Sequence, residues 1–384
     1  MSTQTVLTNA RIVTPNGIVT GTLAFETGRI SEISARNYTS GDDLDGALVM
    51  PGIIDVHSDY LEKEINPRPG ADVPLDAAMH AMDLRALTCG ITTLLSAARV
   101  SAAPTGNAGS WDGDGVGLAR AMERLAPGLR ARHRAHIRWD TRFQTIGEDI
   151  AGLLEINTIG NVVFNDSLPG ERQYREMDAL IRKQALTLNV SIATSRDLMQ
   201  EKIGAALGVD NRAATAAALA GRYPLGSHDD TTEEHVLEGY AVGARLCEMP
   251  VTLDAARKAK QLGMLVCMGA PNYVRGGSHC GNLSATDALA ENLVDMFCSD
   301  YHLPSLLSSA VRMMASGIGP ARVADLLSLN PARHLGLDDE LGSIVVGKAA
   351  DLVAFQPRNG YADVLRTWVG GRQQLGVSAQ STLP

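Results

Sequence analysis

Val49-Met50-Pro51-Gly52-Ile53-Ile54-Asp55-Val56-His57-Ser58-Asp59 reads as an apolar strand that ends in a metal-ligand pair. Side chains alternate along a strand, so His57 and Asp59 point to the same side. An imidazole nitrogen and a carboxylate oxygen converging at a strand end can hold a divalent cation such as zinc or manganese. Taken alone, a His-x-Asp pair is better explained as a solvated strand terminus. The remainder of the chain reverses that balance.

A chain of 384 residues suffices for one large barrel or for two to three ordinary domains. Hydrophobic content of 45% with 20% charged residues is that of a globular, water-soluble protein. The net charge of −9 argues against a general nucleic-acid binder, which needs a basic surplus to neutralise phosphates. A small anionic substrate stays compatible, since a few arginines and a metal ion reverse the field locally. Cys89, Cys247, Cys267, Cys280 and Cys298 are odd in number and include no Cys-x-x-Cys pair, the pattern of reduced thiols. Met1 to Asn9 show no signal pattern, and no stretch approaches the roughly 18 apolar residues of a membrane helix. The expectation is a cytoplasmic protein with no membrane partner.

Turn residues divide positions 5–49 into short strands: Val6-Leu7, Ala10–Val13, Gly21–Phe25 and Arg29–Ile33. Residues 341–376 repeat the style with Gly342–Gly347, Ala350–Phe355 and Thr367–Gly371. Two β-rich ends around a long α/β middle predict that residues 1–50 and 339–384 pair into one small β-sandwich. Residues 51–338 then form a continuous inserted domain. Eight buried strands are predicted there: 52–57, 91–96, 135–139, 161–165, 224–228, 250–253, 264–268 and 294–299. Helix-like segments Leu75–Thr88, Arg175–Ala185, Ala213–Ala220 and Thr232–Cys247 intervene. Thr231-Thr232-Glu233-Glu234 has the form of a capping box, and Asn330-Pro331-Ala332 that of an N-cap followed by proline. This alternation predicts an α/β fold, a (β/α)8 TIM-like barrel with right-handed crossovers. Residues 186–194 compete with 224–228 for the fifth strand. A doubly wound sheet is the alternative, although it needs no paired β-rich termini.

Barrel enzymes carry their chemistry at the C-terminal ends of the strands. Here those ends bear His57 and Asp59; His136, Arg138 and Asp140; Asn165 and Asp166; His228, Asp229 and Asp230; Asp254; Asn272 and Arg275; and Asp300. Singly, Asp140, Asp166 and Asp254 are better read as helix caps, and His133 and His235 as histidines satisfied in the core. Together, so many ligand types at strand ends are hard to explain as caps. In the loop Met268–Asn282, glycines let backbone N–H groups approach an anion, and Arg275 offers a forked contact to phosphate. Asn272, Arg275, Gly276, Gly277, Ser278 and His279 are therefore candidate phosphate-binding residues. Arg68 and Arg172 follow strands one and four, where solvated loop arginines are an equal explanation.

With the flanking β-rich ends, these residues resemble the amidohydrolase superfamily over nearly the whole chain. The general marks are Leu48–His57, Gly90-Ile91-Thr92-Thr93, Asn330-Pro331-Ala332 and Gly347–Val353. A narrower resemblance is to its phosphonate-metabolism branch. It rests on Leu61-Glu62-Lys63, Pro67-Arg68-Pro69, His133–Arg138, Pro169–Gln173, Ser227–Asp230, Met268–Asn282 and Ser299-Asp300-Tyr301. The chain departs from that branch at Tyr60, where Asn is usual, at Asp140 and Asp254, where Glu is usual, and at Ser167, where His is usual. Residues 174–222 match poorly, and strand four has no lysine to carboxylate, so a bridging ligand has to be an acid.

The resemblance implies a metal-dependent hydrolase that cleaves α-D-ribose 1-methylphosphonate 5-triphosphate to the 5-phosphate and diphosphate in phosphonate catabolism, on the carbon–phosphorus lyase pathway. It implies one or two divalent ions, zinc ahead of manganese or iron, held by His57, Asp59, His228 and Asp300. Further potential ligands are His136, Asp140, Asp166 and Asp254. Asp300 takes the general-base role. Lys63, Arg68, Arg138, Arg172 and Arg275, with the glycine loop, position the polyphosphate. The implied partners are a phosphorylated sugar and, as a superfamily expectation, a second copy of the chain in a homodimer. Two alternatives stay open: a cyclic amide or lactone hydrolase, and a non-catalytic barrel that has lost its metal.

Overall fold

The computed structural model describes residues 4–376 except 69, 102–110, 143–146, 167, 169–171, 173–176, 207 and 279. Strands β1 (Thr5–Thr14), β2 (Gly17–Glu26), β3 (Arg29–Ser34), β4 (Asp42–Asp43) and β5 (Leu48–Pro51) come first. Eight barrel strands follow: β6 (Ile53–Ser58), β7 (Ile91–Val100), β8 (Arg132–Asp140), β9 (Ile159–Asn165), β10 (Leu225–His228), β11 (Leu246–Glu248), β12 (Leu265–Gly269) and β13 (Met296–Cys298). The chain ends with β14 (Leu352–Pro357), β15 (Ala362–Val369) and β16 (Arg372–Gly376).

Strands β6 to β13 are parallel and lie side by side in chain order. Both faces are covered, so β6 is buried along its whole length and β7 at all but Arg99. The two edges of this sheet meet. Ser58 bridges Asp300, Asp59 N–H donates to Asp300 O at 2.7 Å, and Asp300 N–H donates to His57 O at 3.0 Å. Behind this seam the buried Asp55 carboxylate accepts Ser299 N–H at 2.9 Å. The result is the (β/α)8 barrel, with its C-terminal rim carrying the polar residues.

The termini build the second sheet, in the order β16-β15-β14-β5-β1-β2-β3 with β4 beside β1. The N- and C-terminal parts join where β5 runs antiparallel to β14, Val49 opposite Ala354. The sheet has its own core of Leu7, Ile12, Leu23, Phe25, Val49, Leu352 and Trp368. Only Gly52 separates β5 from β6, and a Cβ there would lie 2.3 Å from Thr92 Oγ1. Glycine is what lets the chain pass this closely from one sheet to the other.

The structure corrects several sequence expectations. The sixth barrel strand is Leu246–Glu248, not 250–253, because the helix Glu233–Ala241 stops early and Gly243 turns the chain at φ +98°. Residue 253 instead opens the helix Leu253–Gln261, capped by Thr252, whose hydroxyl accepts Ala255 N–H at 3.2 Å. Residues 186–194 fall within and between the helices Met177–Leu188 and Ile192–Ala206, which leaves the fifth place to Leu225–His228. Residues 342–347 form no strand: Ile344 enters the terminal core while Val345 and Val346 are exposed. Asn330 is no cap. It continues the helical path of the π-turn Asp325–Leu329, and its Nδ2 donates to Asp295 O at 2.8 Å.

Candidate metal centre and adjoining pocket

Five strand ends converge at the rim. His57 comes from β6, His136 from β8, His228 from β10, Glu248 from β11 and Asp300 from just past β13. After His228, Glu248 and Ser299 the chain turns through the left-handed region, at Asp229 (φ 58°), Met249 (φ 53°) and Asp300 (φ 52°). This conformation is uncommon for non-glycine residues, and its repetition at three strand ends marks strain gathered at one place.

Glu248 is the hub. Its Oε2 lies 2.9 Å from His57 Nδ1, 3.4 Å from His136 Nε2 and 3.7 Å from His228 Nε2. On the other side of His57, Nε2 lies 3.2 Å from Asp59 Oδ1. Asp59 in turn accepts from Arg138 Nη1 at 3.2 and 3.3 Å. The ring centroids of His57 and His136 are 4.3 Å apart, and those of His57 and His228 5.5 Å.

Burial opposes charge on Glu248, but His57 and then His136 outweigh it and hold the carboxyl well below the usual range. Burial also opposes charge on His57, where Glu248 and Asp59 raise the imidazole well above its ordinary value. His136 goes the other way. Burial pushes it down to about 3, so it is a neutral imidazole, the form that ligates metal. Asp300 is pushed up to about 6 by burial and by the neighbouring Asp59, which suits a proton acceptor.

Among the described residues, two groups of side chains bring one ligand atom each within 4.8 Å of one another: His57, His228 and Glu248, and His57, Asp59 and Asp300. His57 faces Glu248 with Nδ1 and Asp59 with Nε2, so the groups use opposite sides of one ring. The buried polar atoms fit a cation. Both oxygens of Glu248 and both ring nitrogens of His136 and of His228 lack an aligned hydrogen bond among the described residues. Buried polar groups left this way are costly unless an ion satisfies them.

The other sequence-derived candidates are scattered. Asp140 meets Arg99 at 3.3 Å. Asp166 is held by Arg142 at 2.8 Å, with Arg172 and Arg212 each at 3.8 Å. Asp254 sits in the first turn of a surface helix, 74% exposed and paired with Arg257. Arg172 is buried and donates to Asp230 at 2.6 Å, so its charge is answered inside the fold. Arg68 is exposed on the loop after the helix Tyr60–Ile65. His279 and Ser167 lie outside the described residues.

Beside Asp300 opens a pocket of about 510 Å³, continuous with solvent, whose lining includes Asp229, Asn272, Arg275, Gly277, Ser278 and Tyr301. Arg275 Nη1 donates to the Tyr301 hydroxyl at 3.3 Å, and Lys63 Nζ donates to Tyr301 O at 3.0 Å, so both cations converge on one residue. The expected glycine cradle has another use. Gly276, at φ +81°, caps the short helix Ala270–Arg275, and the N–H groups of Gly276 and Gly277 return to Tyr273 O and Asn272 O. The Asn272 side chain staples residues 283 and 285, donating to Leu283 O at 2.8 Å and accepting Ala285 N–H at 3.0 Å. Glu248, the hub, is the residue that sequence reasoning missed.

Comparison with known proteins agrees with this architecture. A family model described as "Amidohydrolase family" matches residues 48–374. The chain is 31% identical to the alpha-D-ribose 1-methylphosphonate 5-triphosphate diphosphatase of Escherichia coli (strain K12), over 96% of this chain and 99% of that one. It is 25% identical to an adenine deaminase of Desulfatibacillum aliphaticivorans, over 91% of this chain and 54% of that protein. Among solved structures, a dihydropyrimidinase from Brevibacillus agri superposes with a TM-score of 0.62 at 14% identity, covering 97% of this chain and 95% of that one. An N-acetylglucosamine-6-phosphate deacetylase from Pasteurella multocida gives 0.59 at 14% identity, covering 97% and 100%. These two speak for the fold alone. Because the family match runs from the last N-terminal strand of the terminal sheet, through the whole barrel, and into β16, the chain belongs to the amidohydrolase family.

Proposed function

We propose that this amidohydrolase is a metal-dependent phosphoanhydride hydrolase that splits α-D-ribose 1-methylphosphonate 5-triphosphate into the 5-phosphate and diphosphate, in the cytoplasm, as a step of phosphonate catabolism. The observation that carries the reading is the likeness to the E. coli diphosphatase, 31% identical and nearly end to end in both chains. The pocket beside Asp300 supports it, because Arg275 and the adjacent Lys63 offer cations to a polyphosphate next to the metal-type cluster.

His57, His136, His228, Glu248, Asp59 and Asp300 are the groups that would hold one or two divalent ions, zinc first among them. When bound, such an ion supplies positive charge that acidifies water and offsets charge developing on phosphorus. The protein's own residues do the rest. Asp300 accepts a proton from the attacking water as the water oxygen joins the α-phosphorus. The bond to the bridging oxygen breaks, and diphosphate leaves with the electron pair. Arg275 and Lys63 orient the chain of phosphates so that attack and departure lie in line.

Incubating the metal-loaded protein with this substrate and, separately, with a nucleoside triphosphate tests the reading. Rapid release of diphosphate from the first and little from the second is expected; orthophosphate alone, or no release, overturns it. Asp300→Asn is expected to keep the fold while losing about a thousandfold in turnover. Near-normal activity in that variant would remove Asp300 as the base.

A further inference from the structure

The strand ends that carry His228 and Glu248 are gripped from behind. Across the parallel register of β10 and β11, Ser227 pairs with Cys247 and His228 with Glu248. Side chains alternate along a strand, so Ser227 and Cys247 take the face opposite the two ligand residues. Cys247 accordingly packs among Val236, Ala255 and Ala259 of the outer helices. Ser227 faces the same layer, where a Cβ on Gly239 of the helix Glu233–Ala241 would lie 2.9 Å from its own.

One carboxylate closes over this outer face. Asp230 is fully buried, and its Oδ2 accepts from both Ser227 Oγ and Cys247 Sγ, the latter at 3.5 Å. It thus binds the residue before His228 and the residue before Glu248 with a single oxygen. Its Oδ1 accepts Arg172 Nη1 at 2.6 Å, and Arg172 is the one cation within ion-pair distance of Asp230 among the described residues. Arg172 also approaches Asp166 at 3.8 Å and Glu238 at 3.5 Å, but other arginines hold those acids more closely, Arg142 at 2.8 Å and Arg212 at 2.7 Å. The buried Arg172 reaches Asp230 from a backbone at φ 51°, uncommon for a residue other than glycine.

We propose that Arg172 and Asp230 are positioning residues for the metal centre: they clasp the outer faces of β10 and β11 and so hold His228 and Glu248 at the spacing a cation needs. This rests on the ligand set proposed above and not on the substrate. A buried ion pair adds little net stability over well-packed apolar side chains, because desolvation offsets the attraction. What this pair adds is geometry. Arg172 fixes the Asp230 carboxylate, the carboxylate fixes Ser227 and Cys247, and the next residue of each strand is presented to the barrel interior. There His228 Nε2 and Glu248 Oε2 stand 3.7 Å apart. Partners one step behind the ligands are worth roughly ten- to a hundredfold in metal affinity.

The test reads zinc affinity, by competition with a chromophoric chelator, beside thermal unfolding of the metal-free protein. Arg172→Met combined with Asp230→Leu replaces the ion pair by apolar side chains, an exchange that buried pairs often tolerate. This double variant should unfold without metal near the wild-type temperature, yet bind zinc roughly ten- to a hundredfold more weakly. Ser227→Ala leaves the ion pair in place and removes one link of the clasp; it should lose roughly tenfold. Wild-type zinc affinity in either variant that keeps the native fold overturns the proposal, whatever its unfolding temperature. Should the double variant not fold, Ser227→Ala decides alone. If the wild type takes up no zinc, the metal centre falls and the clasp with it. If it binds zinc but leaves the ribose triphosphate intact, the substrate reading alone falls, and the affinities still decide the clasp.

Discussion

Strand β8 carries two histidines three residues apart, and they stand in opposite surroundings. His133, near the start of the strand, donates or accepts at 3.1 Å with the buried Asp83. Asp83 also accepts Ala131 N–H at 2.8 Å and Arg130 N–H at 3.2 Å on both oxygens. His136, further along, faces Glu248, and neither side chain finds an aligned hydrogen bond among the described residues. Both places are buried His–carboxylate pairs in one barrel. The first is held by hydrogen bonds to both carboxylate oxygens and to His133 Nε2, leaves His133 Nδ1 alone without one among the described residues, and reads as structure. The second is incomplete, and the missing partner is what a bound cation would supply.

Removing one carboxylate from each pair separates them. Saturating zinc, at a thousandfold over its Kd, should stabilise the wild type by about 4 kcal/mol, and Glu248→Gln should lose most of that gain. Thermal unfolding with and without zinc reads it; a full zinc-dependent rise in the variant would take Glu248 out of the ligand set. Asp83→Asn should instead lower stability by about 2–3 kcal/mol, equally with and without metal, and leave turnover per folded molecule intact. A shrunken zinc response in Asp83→Asn would mean that the two clusters act as one.

A third effect, read per pH unit, concerns His334, which is buried with Nε2 3.4 Å from Asn161 Nδ2. Burial pushes it down to about 4, with Glu248 opposing. In the unfolded chain it titrates near the usual value of about 6.5. Between about 6.5 and about 4 the unfolded state therefore holds a proton that the folded state does not, so stability is present above this window and declines as pH falls through it. Denaturant unfolding of the metal-free protein at several pH values should show His334→Gln with a shallower decline, by at most about 1.4 kcal/mol per pH unit. An unaltered slope would show that His334 does not titrate differently on folding.

The barrel is legible in the sequence because burial on both faces imposes apolar, β-branched runs such as Ile53–Val56 and Ile91–Leu95. His57, Asp59 and Asp300 are legible because they stand at or just past the end of such runs, whereas His228 ends the weaker run Leu225-Gly226-Ser227. Glu248 is not. A three-residue strand is too short to show a period, and the well-capped helix start at Thr232 carries the eye through Leu246 and Cys247. Gly243, a helix stop, was the available signal. The arginines fail for a different reason. Position after a strand places Arg172 near the rim, yet its partner Asp230 lies 58 residues away in sequence, and no local pattern reveals that pairing.

The seam of the barrel passes through this chemistry. The backbone bonds that join His57 and Asp59 to Asp300 tie the first barrel strand to the far side of the last. A growing polypeptide that has not yet emerged past Asp300 can own every histidine of the cluster and still lack the edge that aligns them. Capture of an ion there would therefore come late in the life of the molecule, and would report that the circle has been completed.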